Sequence, residues 1–257
     1  YTKIGKNLNL DLMKKFIFLF FFTSVLFAQQ NMKPEETEVW EPEPKVVTPG
    51  ILFSPPSDAI ILFDGSDFSK WQHQGSKDPV QWTLNSDKSM TVKPGTGSIN
   101  TIEEHGSIQL HLEWKTPNVI KGEGQGRGNS GIYFQRRYEV QVLDSYENRT
   151  YSNGQASSIY KQHIPLVNAT RAPGVWQTYD IIFIEPEFDS KGEPTKPGTF
   201  TVFLNGVLVQ NNVEILGTTE YIGLPKTKRD DMPKHRSLLL QDHGDLVSFR
   251  NIWIRKL

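Results

Sequence analysis

The sequence predicts an all-β sandwich, and three features of residues 58–257 indicate it. Apolar and polar residues alternate with a period of two over many short segments, which is typical of strands that bury one face. Turn-forming pairs separate these segments, at Asp64-Gly65, Asn153-Gly154, Pro173-Gly174, Asn205-Gly206 and His243-Gly244. No segment shows the apolar period of a long amphipathic helix. Many short strands in about 200 residues favour two packed antiparallel sheets.

The predicted strands follow one another along this region. They cover residues 107–115, 131–135, 138–142, 176–184, 199–204, 207–210, 237–241 and 246–257. In the first of them, Ile108, Leu110 and Leu112 would form the buried face. Between the fifth and sixth, Asn205-Gly206 predicts a tight hairpin with a type I′ turn.

The N-terminal part of the chain predicts export. From Met13 to Ala28, two lysines precede an apolar run that ends at a small residue, which is the pattern of a secretory signal peptide. A signal anchor is the alternative, although the run is shorter than the roughly 20 residues of a membrane-spanning helix. Residues 1–12 are expected to be a non-native upstream extension, and residues 29–57, rich in Pro and Glu, a linker. We therefore expect a periplasmic or secreted bacterial protein, with no membrane attachment after cleavage.

Composition excludes several classes of function. The formal net charge is −1, so no basic surface for nucleic acid is indicated. The chain has no cysteine, which excludes disulfides and thiolate chemistry. Its six histidines form no metal-binding motif, and no cofactor is predicted. A structural calcium ion held by Asp64, Asp67 and Asp144 is the one metal site considered, although their spacing is not that of an EF-hand.

The segment YEVQVLDS, residues 138–145, carries the first candidate site. Side chains two positions apart on a strand share a face, about 6.6 to 6.8 Å apart, so Glu139 and Gln141 would point the same way. Asp144 would share that face only if a β-bulge changed the direction of its side chain. The alternative is a plain polar strand face, with Asp144 capping a turn.

Six segments together carry a family resemblance. They are ILFDGSDFSKW (61–71), QLHLEWKTP (109–117), GQGRGNSGIYFQRRYEVQVLDSY (124–146), NGQASSIYKQHIPLVNATRAPGVWQTYDIIF (153–183), FLNGVLVQNN (203–212) and LLLQDHGDLVSFRNIWIRKL (238–257). They resemble the 3-keto-disaccharide hydrolase domain over nearly all of residues 58–257. The resemblance implies a concanavalin A-like jelly-roll sandwich of two antiparallel sheets with a concave ligand-binding face, in an exported bacterial enzyme that acts on 3-keto-glycosides.

The spacing E-x-Q-x-x-D at residues 139–144 is also similar to the E-x-D-x-x-E strand of family-16 glycoside hydrolases, which share this fold. Here Gln replaces the middle Asp, and Asp replaces the final Glu. Paired carboxylates are the usual machinery of glycoside hydrolysis. The two departures weaken the case for that mechanism, and Asp144 would instead orient or tune a neighbour.

A ketone at carbon 3 offers another route. It acidifies the hydrogen at carbon 2, so a base can remove it while the aglycone leaves carbon 1, and water can then add back. Such an elimination needs one base, one acid and hydrogen-bond donors at the ketone oxygen. Glu139 and His243 are the candidates for acid and base, in either order. Direct carboxylate-assisted hydrolysis stays open, and so does a merely structural role for His243.

The remaining candidates would bind sugar. In RGNSG, residues 127–131, glycines flank Asn129 and Ser130, so the backbone there can approach a ligand closely. Asn129 would bond sugar hydroxyls, and Arg127 would support the ketone oxygen or a carboxylate; a phosphate loop or a plain flexible loop is the alternative. Amides match hydroxyl groups because they both donate and accept, and the amides proposed are Gln135, Gln141 and Gln241. Tyr133 and Trp71 are candidates for stacking on a sugar ring.

The sequence therefore predicts a carbohydrate-cleaving enzyme and leaves a rival open. A non-catalytic carbohydrate-binding module or lectin would use the same fold and the same hydrogen-bonding groups. The two differ in their need for titratable groups, because a lectin requires no base. The oligomeric state, the aglycone and the anomeric preference are not predicted.

Overall fold

The computed structural model describes residues 32–52, 54–229 and 235–257. The signal peptide and the upstream extension predicted from the sequence lie outside these residues. The chain divides into two units, residues 1–46 and 47–257. In the first unit, residues 32–46 are exposed and include one short 3-10 turn, Pro34–Thr37. Across the three described ranges, no helix has the length and apolar character that a membrane crossing requires.

The second unit is built of β-strands. Their bounds are β1 Ile60–Phe63, β2 Trp71–His73, β3 Thr83–Leu84, β4 Met90–Thr91, β5 Ile99–His105, β6 Ile108–Lys115, β7 Ser130–Phe134, β8 Tyr138–Val142, β9 Gln177–Ile184, β10 Glu187–Phe188, β11 Pro194–Lys196, β12 Thr199–Leu204, β13 Val207–Glu214, β14 Arg236–Leu240 and β15 Ser248–Lys256. Each segment that alternation predicts to be a strand overlaps one of them.

The strands form two large antiparallel sheets. The larger has the order β13-β12-β9-β6-β15-β4-β3, with β1 also paired to β15. The smaller has the order β2-β5-β14-β7-β8, and β10 and β11 form a separate pair. The predicted concanavalin A-like sandwich of two antiparallel sheets is confirmed. Asn205 and Gly206 both adopt positive φ, at 54° and 80°, which confirms the tight hairpin between β12 and β13.

The core lies between the two sheets. Phe134 comes from the smaller sheet, and Phe183 and Phe200 come from the larger one. Their ring centroids lie 5.0 to 5.2 Å apart, and all three side chains are fully buried. Aromatic contacts of this kind remove large apolar areas from water and so hold the sheets together.

The outer face of the smaller sheet is polar. Glu139 on β8 pairs with Tyr133 on β7, which pairs with Leu239 on β14, and Leu239 pairs with Asn100 on β5. Paired residues of antiparallel strands project to the same side, so these four side chains share the face opposite the core. Beyond β8, the backbone N–H of Gln141 donates to the carbonyl of Ser158, so a loop covers the edge of this sheet.

Candidate active site

A pocket of about 170 Å³ opens on the outer face of the smaller sheet. Nine residues line it: Asn129, Tyr133, Glu139, Gln141, Tyr160, Thr219, Tyr221, Gln241 and His243. Six of them are site residues predicted from the sequence. The fold brings them together because β7 and β8 are neighbours and the loop after β14 reaches the same corner.

The Glu139 carboxyl lies deep in this pocket, and its residue is only 3% exposed. Gly131 on the neighbouring strand makes room for it, since a Cβ at that position would lie 2.3 Å from Glu139 Oε1. The backbone N–H of Glu139 donates to the hydroxyl of Thr219 at 2.9 Å, which ties the strand to the loop that walls the pocket. The carboxyl is thus held by the sheet rather than by a loop.

Burial dominates the electrostatics of Glu139. It raises the pKa of the carboxyl from 4.5 to about 8, and a hydrogen bond with the Tyr133 side chain opposes that rise. The pKa of Tyr133 is in turn raised, first by its own burial and then by the charge of Glu139, so the phenol donates to the carboxylate. Glu139 forms no ion pair with a cation of the described residues. A carboxyl in this setting can exchange a proton near neutral pH.

The amides of the pocket differ in how fully they are bonded. Gln141 Nε2 donates to Asn129 Oδ1 at 3.0 Å, and Asn129 Nδ2 donates to the carbonyl of Gln125 at 2.7 Å. Gln241 Nε2, by contrast, approaches the Tyr133 hydroxyl only at 3.4 Å. Within the described part of the chain no group donates to the buried Gln241 Oε1. A buried acceptor is costly to leave unbonded, so Gln241 is suited to receive a sugar hydroxyl.

His243 stands at the mouth of the pocket and is exposed. Asp242 stabilises its loop, since one carboxylate oxygen accepts from the N–H of Gly244 at 3.0 Å and the other from that of Gly97 at 2.9 Å. Gly244 has a φ of 93°, which permits the tight turn after His243. A loop held by these two hydrogen bonds therefore places the imidazole at the pocket.

One wall of the pocket is not predicted from the sequence. Tyr160 and Tyr221 form it; the Tyr160 hydroxyl lies 2.6 Å from that of Tyr151, and Lys161 Nζ lies 4.6 Å from the centroid of the Tyr221 ring. These residues come from two long loops with no regular pattern. The one available signal is the presence of several tyrosines in otherwise polar loop sequence.

Asp144 and Arg127 lie outside this pocket. The register between β7 and β8 is unbroken, so this pairing lacks the bulge that Asp144 would need to join Glu139 and Gln141, and Asp144 follows the end of β8. Its carboxylate accepts a hydrogen bond from Arg127 Nε at 2.7 Å, and the two side chains are only 3% and 11% exposed. The pair joins the loop before β7 to the turn after β8, which is a structural contact.

Gln135 and Trp71 also lie away from the pocket. Strand β7 ends at Phe134, and Gln135 adopts a φ of 53°, which turns its side chain out of the strand pattern. Its amide donates to the carbonyl of His105 at 3.1 Å and to Glu185 at 2.9 Å. Trp71 is buried in the core and donates to the carbonyl of Leu62 at 2.8 Å.

The aspartates considered for calcium do not converge. Asp64 accepts hydrogen bonds from Ser66, and Asp67 accepts one from the N–H of Ser69, so each stabilises its own turn. Asp144 pairs with Arg127. Among residues 32–52, 54–229 and 235–257, no three His, Cys, Asp or Glu side chains cluster closely enough to hold a metal.

Comparison with known proteins shows the family of this chain. Residues 58–255 match the 3-keto-alpha-glucoside-1,2-lyase-like domain. The chain belongs to this family. A protein from Parabacteroides distasonis, described as a candidate glycosyl hydrolase, is 47% identical to this family member; the alignment covers 88% of this chain and 97% of the other, with a TM-score of 0.83.

Two further structures from the same organism carry the same description. They are 21% and 23% identical to this lyase-like chain, with TM-scores of 0.55 and 0.53. The alignments cover 78% and 77% of this chain, and 94% and 99% of the other two. At this identity the likeness supports the fold alone. The chain matches none of the curated proteins with which it was compared.

Proposed function

We propose that this family member is an exported enzyme that cleaves 3-keto-glucosides by eliminating the aglycone from carbon 1. The observation that carries the proposal is Glu139, a buried carboxyl with a pKa of about 8 and no paired cation in the described structure. Such a group is costly to bury, and acid–base catalysis provides a reason to keep it there. The signal-like pattern of residues 13–28 supports export.

In this mechanism Glu139 is the base. It removes the proton from carbon 2, and the electron pair forms the carbon 1–carbon 2 double bond as the bond to the glycosidic oxygen breaks. Negative charge that develops on the ketone oxygen would be stabilised by a donor in the same pocket, the Gln241 amide. A raised pKa makes Glu139 a stronger base near neutral pH than an ordinary carboxylate.

His243 is the acid. It would donate a proton to the departing oxygen, so the first products are an alcohol and an unsaturated 3-keto sugar. Addition of water across the double bond then yields the free 3-keto sugar. The assignment follows from position, because His243 lies at the open mouth while Glu139 lies deep in the pocket.

A carbohydrate-binding module is the second candidate. The amides of Gln141 and Asn129 and the rings of Tyr160 and Tyr221 can recognise a sugar without any reaction. A lectin nevertheless gains nothing from an uncompensated buried carboxyl. The two candidates therefore differ in what Glu139 does.

The decisive experiment supplies the protein with methyl 3-keto-glucoside and with methyl glucoside in heavy water, followed by NMR. Cleavage of the keto compound alone, with one deuteron incorporated at carbon 2 of the product, is the expected result. A control incubation of the product alone would show whether its carbon 2 hydrogen exchanges spontaneously. If it does not, cleavage without deuterium at carbon 2 would instead indicate direct hydrolysis. Binding of both sugars with cleavage of neither would establish the binding module.

A leaving-group series tests the role of His243. An acid matters most when the departing alcohol is basic, so His243→Ala should slow the methyl compound about 100-fold or more. The same substitution should slow a 4-nitrophenyl 3-keto-glucoside only a few-fold, because nitrophenolate departs without a proton. An equal loss of rate on both substrates would show that His243 is not the acid.

A further inference from the structure

A second pocket, of about 500 Å³, lies beside the candidate active site. The two pockets adjoin at residues 128–129 and 243–244, which we call the ridge. Asn129 and His243 line the first pocket, and their chain neighbours Gly128 and Gly244 line the second. The N–H of Asn129 donates to an Asp245 carboxylate oxygen at 2.8 Å, so the two segments that form the ridge are bonded to each other.

Two glycines form part of this ridge. At Gly128 the φ is 59°, and a Cβ would lie 2.9 Å from the side chain of Thr116. At Gly244 no atom lies within 4 Å of where a Cβ would be, so the missing side chain leaves open space next to His243. At Gly244 the ridge therefore has no side chain of its own between the two pockets.

The second pocket has walls unlike those of the first. Val119, Ile120 and Leu246 line it and are 62%, 54% and 54% exposed. Polar residues, among them Asn118, Lys121 and Asp245, complete the lining. In this pocket Arg127 and Asp144 neutralise each other as an ion pair, and none of the lining residues is aromatic. Exposed aliphatic residues that converge on one hollow indicate a site for an apolar group.

We propose that this second pocket binds the aglycone of the substrate and selects apolar aglycones. The proposal rests on the proposed function, because the sugar is placed in the first pocket. A substrate that occupies both pockets carries its glycosidic oxygen over the ridge, next to His243. Aliphatic walls without aromatic rings suit a flat or bulky hydrocarbon group better than a second sugar, which would need rings to stack on.

The test compares benzyl and methyl 3-keto-glucosides. Benzyl alcohol and methanol are leaving groups of nearly equal basicity, so a difference in kcat/KM reports binding of the ring. The wild-type protein should prefer the benzyl compound about tenfold or more, as expected for burying several apolar carbons. Leu246→Ser and Ile120→Ser should each lower the benzyl rate about three- to tenfold and leave the methyl rate unchanged.

Leu166→Ser is the matched control, since Leu166 is 63% exposed and does not line either pocket. It should change neither rate. A benzyl preference that survives both pocket substitutions, or an equal fall on both substrates, would overturn the aglycone site.

Failure of the proposed function would look different, because neither 3-keto-glucoside would then be cleaved. Calorimetric titration with the same two compounds would still test the second pocket. The benzyl compound should bind about tenfold more tightly, and Leu246→Ser should abolish that difference. Equal affinities would reject the pocket assignment.

Discussion

Each of the two sheets has a buried glutamate on its outer face, and the two carboxyl groups have different partners. Glu139, on the smaller sheet, is 3% exposed, and Glu113, on the larger sheet, is 6% exposed. Arg250 donates to Glu113 at 2.8 and 2.7 Å, and Asn251 donates to its other oxygen at 3.0 Å. Glu139 has the Tyr133 hydroxyl instead of a cation.

The rest of the larger sheet's outer face continues this pattern. His111 lies 2.6 Å from Asp180 and stacks on Trp253 with ring centroids 5.1 Å apart. The guanidinium of Arg250 lies 4.1 Å from the centroid of the Trp176 ring. The charged groups there are bonded to one another, whereas the pocket on the smaller sheet leaves a carboxyl without a cation and an acceptor on Gln241 unbonded. Burial alone does not mark a functional carboxyl; burial without a compensating charge does.

The largest expected effect comes from exchanging the two glutamates for glutamine in turn. Glu139→Gln should lower kcat/KM for a 3-keto-glucoside about 10³-fold or more, because the amide cannot accept the proton. Glu113→Gln should keep kcat/KM within about twofold, although it weakens the contact with Arg250. Steady-state kinetics on both variants, with folding checked by circular dichroism, would distinguish them. Similar losses in both would mean that the comparison between the faces has no bearing on catalysis.

The pH dependence of stability should report the raised pKa of Glu139. The folded pKa is about 8 and the ordinary value 4.5, so this carboxyl favours the folded state most at low pH. That contribution is lost as the pH rises through 8. Between pH 5 and pH 8 the loss should be on the order of 3 kcal/mol, since one pKa unit corresponds to about 1.4 kcal/mol.

Denaturant unfolding across this range, in the wild-type protein and in Glu139→Gln, measures the loss. The variant should lose less stability than the wild-type protein over the same pH interval. Parallel curves for the two proteins would show that the pKa of Glu139 is not raised.

A third prediction concerns the cation that Glu139 lacks and Glu113 has. Arg250→Met would leave the Glu113 carboxylate without its ion pair, and we expect about 2 kcal/mol less stability, reduced by the partial exposure of Arg250. Lys196→Met is the control, because its pair with Glu187 is 62% exposed on both sides and should contribute less than about 1 kcal/mol. Chemical denaturation would measure both, and an equal loss would contradict the difference in burial.

The smallest effect tests the space beneath Glu139. A Cβ at position 131 would displace the carboxylate, so Gly131→Ala should reduce kcat/KM about tenfold by misplacing the base. Gly126→Ala is a matched control, since no atom lies within 4 Å of the Cβ it would introduce. Unchanged kinetics for Gly131→Ala would show that the carboxylate need not hold the position seen in the structure.

Much of the pocket could be predicted from spacing along the strands. Glu139 and Gln141 share a face because strand geometry repeats every two residues, and Tyr133 lies opposite Glu139 because β7 and β8 pair directly. The same reasoning failed at strand ends. Asp144 and Gln135 lie just beyond β8 and β7, where φ is no longer confined to extended values and a side chain can turn to any nearby partner.

Alternation and turn residues act over a few positions, so the order of amino acids is enough to predict the sandwich, the strand faces and the family. It does not reveal that Glu139 lacks a cation while Glu113 has one, or that Tyr160, Tyr221 and His243 meet above the same sheet. Charge compensation and desolvation depend on distances between groups far apart in the chain, and folding sets those distances. Local patterns determine the face of the sheet on which each side chain lies, and tertiary packing determines which groups contact it there.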